Sequence, residues 1–162
     1  MKFGRFLIIL MTFCLGIYIQ AQESEEGGEA IKLEITLKEY GFTLSGQEKN
    51  APIKLESGKT YAFEFTNPDI LDHEVLWGRT FMINDKGARE DYETNLFDTV
   101  EAIVEGEGWE AVAPGLIELE LKAGATLKIV LTIPEGAVGE WEMGCFVPGH
   151  HEAGMHTPII VE

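Results

Sequence analysis

The chain has 162 residues and is strongly acidic: 28 Asp and Glu stand against 12 Lys and Arg, a formal charge of −16 at neutral pH. Like-charge repulsion makes nucleic acid and anionic lipid surfaces poor partners; the charge suits either a basic protein steered in by the field or solubility of an exported protein alone. The length suits one compact domain with its own core and is short for two.

Lys2 and Arg5 open the chain, an almost unbroken apolar stretch follows over residues 6 to 19, and Gln20-Ala21-Gln22 ends it. A basic start, an apolar run too short to span a bilayer and a small residue at its end describe a secretory signal peptide, residues 1–21. Lipid attachment at Cys14 is disfavoured because bulky Phe13 precedes it. Removal of the two basic residues takes the formal charge from −16 to −18. The expectation is a soluble, exported monomer of the periplasm or cell exterior, with no stable membrane insertion. Cys145 is then the sole thiol, in a compartment where thiols oxidise or pair, and it has no partner within the chain.

Residues 22–30 are acidic and glycine-containing and read as a flexible leader, so the domain runs over 31–162. Ile31, Leu33, Ile35 and Leu37 alternate with polar residues, the period of a strand with one buried face. Phe42 to Leu44 continues that edge, and Ile53 to Leu55 leads to a turn at Glu56-Ser57-Gly58-Lys59. Tyr61, Phe63 and Phe65 then mark a strand that stops at Asn67-Pro68, and residues 73 to 77 mark the next. Between about 79 and 112 the alternation breaks; charged residues 85 to 100, with Tyr92, Leu96 and Phe97 as anchors, predict a partly helical insertion. Residues 116 to 121 and 126 to 133 flank Lys122-Ala123-Gly124-Ala125 and predict a hairpin. Residues 140 to 145 and 157 to 161 close the domain. Seven to eight short strands punctuated by Gly and Pro predict an all-β, Greek-key β-sandwich.

Chemistry concentrates in the run Cys145-Phe-Val-Pro-Gly-His150-His-Glu-Ala-Gly-Met155, where a thiol, an imidazole and a thioether are separated by four residues each. Soft sulfur suits Cu(I), imidazole suits both copper oxidation states, and two His with one Cys and a long axial Met mark electron-transfer copper. A second imidazole is needed, and of the four histidines only His73 lies outside residues 145–156. Singly, a strand-end Cys and a Met near a chain end read as core filling; together with Pro148-Gly149-His150 they read as a metal loop. The adjacent histidines allow a one-residue slide to His151; spacing favours His150, leaving His151 and His156 as exposed or supporting groups. Zinc is the competing ion, but it has little use for a thioether, and no His-Glu-x-x-His pattern is present. Four histidines are too few for the additional copper centres of an oxidase, and no nucleophile motif or phosphate-binding glycine loop is found.

This loop resembles the ligand loop of the cupredoxins, the type 1 blue copper proteins, and in spacing is most similar to auracyanin-like and small exported members. Phe63 to Pro68 and Asp72-His73-Glu74-Val75 resemble their strand and first-histidine segment. The resemblance spans most of 31–162 and places the insertion where azurins carry a helical flap. It implies one type 1 copper ion, with His73, Cys145 and His150 as equatorial ligands and Met155 axial. It further implies His150 as an electron port within an apolar rim of Val147, Pro148 and Ala153. Many cupredoxins follow the first histidine with Asn, where this chain has Glu74. The implied function is a one-electron shuttle between exported redox proteins, basic cytochromes among them, and not an enzyme. The alternative is a periplasmic copper-handling protein, buffering or delivering the metal through the same ligands.

Overall fold

The computed structural model describes residues 29–162; the expected signal peptide over 1–21 and most of the expected leader over 22–30 lie outside the described residues. Alternating apolar positions build twelve strands in two facing sheets. The first sheet takes β1 (Ile31–Leu37), β2 (Phe42–Leu44), β4 (Thr60–Thr66), β7 (Ala102–Gly106), β8 (Trp109–Ala113) and β10 (Thr126–Thr132), in spatial order β2-β1-β4-β10-β7-β8. The second takes β3 (Ile53–Leu55), β5 (His73–Ile83), β6 (Arg89–Asn95), β11 (Gly139–Gly144) and β12 (His156–Val161), in order β3-β12-β11-β5-β6, with β9 (Glu118–Leu121) also paired to β5. Both sheets are mixed, since β1 runs parallel to β4 and β12 parallel to β3.

The core lies between the sheets, where period-2 alternation aims every second side chain inward. Phe63 and Phe65 from β4 and Ile129 and Leu131 from β10 meet Val75 and Trp77 from β5, Met143 from β11 and Ile159 from β12, all buried. An aromatic chain links the layers: Phe65 and Trp77 meet at 5.9 Å and 61°, and Trp77 meets Phe97 at 5.5 Å and 62°, the edge-to-face geometry favoured by ring quadrupoles. Trp141 also packs inside, with its indole N–H donating to Ala137 O at 2.7 Å. Trp109 stands on β8 half exposed.

The all-β sandwich stands as expected, with more strands than counted from the sequence. The insertion is extended rather than partly helical. β5 continues to Ile83, turns at Asn84 to Ala88 and returns as β6, with Phe81 opposite Tyr92; β7 and β8 form a second hairpin. The single helical element described is a 3-10 turn over Glu135–Ala137. Tyr92, Leu96 and Phe97 imitate a helical stripe by spacing, yet they do not share one core. Leu96 and Phe97 enter the main core, whereas Tyr92 joins Leu76, Phe146 and Phe81 in a second apolar cluster.

β9 and β10 do not pair as a hairpin either: β9 belongs to the second sheet, and β10 pairs β4 and β7 in the first. Leu119 and Leu121 face the core from one layer, Ile129 and Leu131 from the other, so the chain must cross between layers at 122–125. Asn67 holds that crossing. Its backbone N–H donates to Ala125 O and its carbonyl accepts from Gly124 N–H. Its buried amide Nδ2 lies 2.9, 3.0 and 3.1 Å from the carbonyls of Leu71, Leu121 and Lys122. One side chain thus fixes both the crossing and the segment that delivers His73.

Asn67→Ala strips the donor from these carbonyls and is expected to cost about 2–4 kcal/mol of stability in a denaturant titration. Asn67→Asp, which is isosteric but has no N–H to donate, should cost as much. A loss under about 1 kcal/mol for both would contradict the anchor role.

Candidate metal centre

His73 is the first residue of β5, and strand alternation puts it on the same inward face as Val75 and Trp77. Cys145 follows the last residue of β11, two positions beyond inward-facing Met143, so its sulfur emerges between the sheets at the same end. The chain then leaves the sheet in a tight loop and re-enters as β12. Gly149, at φ 87°, and Gly154, at φ 100°, occupy backbone conformations unfavourable to L side chains. The loop closes on itself through His150 N–H to Val147 O, Ala153 N–H to Gly149 O, Met155 N–H to His150 O and Cys145 N–H to Met155 O.

Three donors expected from the sequence converge. His73 Nδ1 lies 3.3 Å from His150 Nδ1, and His150 Nδ1 lies 3.4 Å from Cys145 Sγ. Ligand atoms of the three residues all fall within 4.8 Å of one another. A point equidistant from the corners of such a triangle is roughly 2.0–2.4 Å from each, the range of metal–nitrogen and metal–sulfur bonds. Met155 is fully buried and tied by its backbone to both Cys145 and His150. His151 does not share in this group: its Nε2 lies 2.8 Å from Glu142 Oε1, and its ring stacks on Phe146 and His156. The slide from His150 to His151 is therefore not taken.

The protonation states suit a soft ion. Burial lowers the His73 imidazole below its ordinary value despite Asp69 and Asp72, and burial together with His73 lowers His150. Both rings are neutral at neutral pH, with lone pairs to give. Burial pushes the Cys145 thiol up to about 11, against hydrogen bonds from the backbone of Glu74 and Val147. The Glu74 N–H lies 3.3 Å from Sγ. These donors, aimed at sulfur, serve a thiolate once a cation compensates its burial. A buried trio of one thiol and two neutral imidazoles thus fits copper in donor type, spacing and charge.

Supporting residues surround the trio, several of them invisible in the sequence. The Asp69 carboxylate lies 3.6 Å from His73 Nε2, and the same oxygen accepts from Glu39 N–H at 3.2 Å. Tyr40 lies edge-on to His150, ring centroids 5.0 Å apart at 83°, and leaves that ring 7% exposed. Of the residues expected to rim His150, Val147 is half-buried and Pro148 and Ala153 are exposed; Tyr40 was not foreseen. Glu39 and Tyr40 are consecutive non-glycine residues at positive φ, 54° and 56°, a turn that the pattern of apolar residues does not encode. Asn50 is a second such anchor: its Nδ2 donates to Gly154 O at 2.8 Å and its Oδ1 accepts from Phe42 N–H at 2.9 Å, pinning the metal loop to β2. Glu74, standing where many cupredoxins have Asn, carries a carboxyl raised above its ordinary value by burial, a rise countered by a hydrogen bond from the Phe146 N–H. The first-histidine strand and the cysteine loop are joined through the Glu74 N–H, which donates to Cys145 Sγ.

At neutral pH without metal, the buried, protonated Cys145 should react with a chromogenic disulfide at least about a hundredfold more slowly than free cysteine, recovering full reactivity in denaturant. Metal uptake must displace the thiol proton and none from the histidines, so affinity should rise about tenfold per pH unit between pH 7 and 9. A free-cysteine reaction rate, or a flat affinity profile, would contradict this arrangement.

No known family profile matches the sequence, and no curated protein sequence matches it. Solved structures do. Rusticyanin from Thiobacillus ferrooxidans is 15% identical, with TM-score 0.50 over 83% of this chain and 79% of that one. Auracyanin B is 17% identical, with TM-score 0.50 over 82% of this chain and 89% of that one. The multicopper oxidase McoA from Aquifex aeolicus is 14% identical, with TM-score 0.56 over 83% of this chain but only 30% of that one, so this chain corresponds to a fraction of the oxidase. Rusticyanin and auracyanin are cupredoxins, and the described residues of this chain have the cupredoxin fold.

Proposed function

We propose that the protein is a type 1 copper protein that carries single electrons between exported redox partners. The observation that carries this reading is that His150 Nδ1 lies 3.3 Å from His73 Nδ1 and 3.4 Å from Cys145 Sγ, with ligand atoms of all three residues within 4.8 Å of one another at one buried end of the sandwich. His73, Cys145 and His150 would hold the ion and Met155 would supply the weak fourth ligand. Copper bound there supplies a one-electron couple between Cu(II) and Cu(I).

The chain's own contribution is to hold the donors still. Strand β5, strand β11 and the loop closed by Asn50 fix three side chains from segments about seventy residues apart, so a change of charge meets donors that have little room to rearrange. Burial of Cys145 and Met155 keeps water away, and N–H groups aimed at the sulfur tune its electron donation. His150, with its slight exposure beside Tyr40, offers the shortest route from the trio to the surface. The acidic surface favours a basic redox protein as partner.

The copper-handling alternative requires ready release of the ion to an acceptor. Full burial of His73, Cys145 and Met155 and the Tyr40 ring against His150 oppose such release and favour the carrier. Among the described residues no helix is long and apolar enough to cross a membrane.

Adding Cu(II) should produce an intense visible absorption band from thiolate-to-copper charge transfer. Cys145→Ser should abolish it, and His73→Ala should abolish or strongly shift it. A colourless wild-type protein, or a band that survives Cys145→Ser, would overturn the assignment. Rapid electron self-exchange with slow copper loss to a chelator should distinguish the carrier from the handler.

A further inference from the structure

A second set of ligand-bearing side chains lies on the outer face of the second sheet. Along β11, Trp141 and Met143 face the core, so Glu142 between them faces out. His156 begins β12 opposite Gly144, and the metal loop lays His151 over that same glycine. Gly144 leaves the room: a Cβ there would come within 2.5 Å of the Tyr92 hydroxyl and 3.3 Å of the His151 ring.

The three side chains meet closely. His151 Nε2 lies 2.8 Å from Glu142 Oε1, and His156 Nδ1 lies 3.2 Å from Oε2. The two imidazoles stack at 4.6 Å and 11°, and one ligand atom from each residue falls within 4.8 Å of the others. His151 is buried, with its ring held between Phe146, His156 and the edge of Phe81. His156, 40% exposed, leaves one side open to solvent.

We propose that Glu142, His151 and His156 form a second metal site, taking a divalent transition ion of the zinc or Cu(II) type. Two imidazoles and a carboxylate suit such borderline ions and, lacking sulfur, do not favour Cu(I). The open side of His156 leaves a coordination position for water or for a ligand from a partner. This site shares no donor with the Cys145 trio and stands or falls separately from it.

Arg89 gives the proposal a directional consequence. Its Nη1 lies 3.4 Å from His151 Nδ1, and a guanidinium can only donate, so that nitrogen accepts and Nε2 carries the proton given to Glu142. An ion on Nε2 requires the proton on Nδ1 instead, which sets two donors against each other. Arg89 therefore competes with the ion and must swing away from its place over the Phe81 ring, 3.9 Å from the centroid. Tyr92, whose hydroxyl donates to Glu142 Oε1 at 2.8 Å, steadies the carboxylate from the other side.

Calorimetric titration of zinc(II) into protein carrying one equivalent of copper, and into Cys145→Ser protein, tests this. One zinc per chain should bind in both, with the visible copper band of the first unchanged. His156→Ala and Glu142→Gln should weaken zinc binding at least about tenfold, whereas Arg89→Ala should tighten it severalfold. Absence of stoichiometric zinc, zinc that binds only by displacing copper, or binding indifferent to these substitutions would overturn the proposal and leave an ordinary hydrogen-bond network. His156 is exposed enough for its truncation to leave the fold intact; if a variant does unfold, the sign of the Arg89→Ala effect decides. Zinc binding in a protein with no copper band would fail the electron-carrier reading alone.

Discussion

The constraint on which the rest depends is that one thiol and two imidazoles are held, buried, within bonding reach of a single point. The two imidazoles are costly to bury without partners, and the thiol becomes costly once it ionises. The fold accepts the arrangement because strands from distant parts of the chain arrive there already aligned: β5 with His73 inward and β11 with Cys145 just past its end. The loop between β11 and β12 is too short to wander and is closed by five backbone hydrogen bonds among residues 145–155.

Polar side chains, rather than more hydrocarbon, provide the precision. Asn67 ties three carbonyls at the layer crossing just before the first histidine, and Asn50 bridges β2 to the metal loop. Asp69 spans the remaining gap, touching His73 on one side and the strained turn that carries Tyr40 on the other. A hydrophobic sandwich alone would set these segments to within the slack of side-chain packing. Directed hydrogen bonds narrow that slack to what a metal coordination sphere tolerates.

The sandwich and the loop that carries Cys145, His150 and Met155 were legible in the sequence because they rest on short-range patterns: alternation in residues 31 to 37 and 60 to 66, and a Cys, His, Met run at even spacing. What escaped was set by tertiary pairing. The stretch around Tyr92, Leu96 and Phe97 has helical spacing, yet Tyr92 lies within β6 and joins the second cluster, whereas Leu96 and Phe97 follow the strand in a bend that turns both into the main core. Lys122 to Ala125 has hairpin chemistry, but the strands beside it join different sheets. Tyr40, Asn50, Asn67 and Asp69 gave no local signal, since an Asn or Asp near a turn is ordinary and its remote partners cannot be read from one-dimensional order. His151 and His156 were visible as residues, but their shared carboxylate, Glu142, lies on a neighbouring strand.

The central claim is most directly tested by X-ray absorption at the copper edge of the loaded protein, oxidised and then reduced. Preset donors predict the same first shell in both states, one short sulfur and two nitrogens, with bond lengths shifting by no more than about 0.1 Å. A shell without sulfur, or one that gains or sheds a ligand on reduction, would show that the chain does not hold the ion at Cys145, His73 and His150.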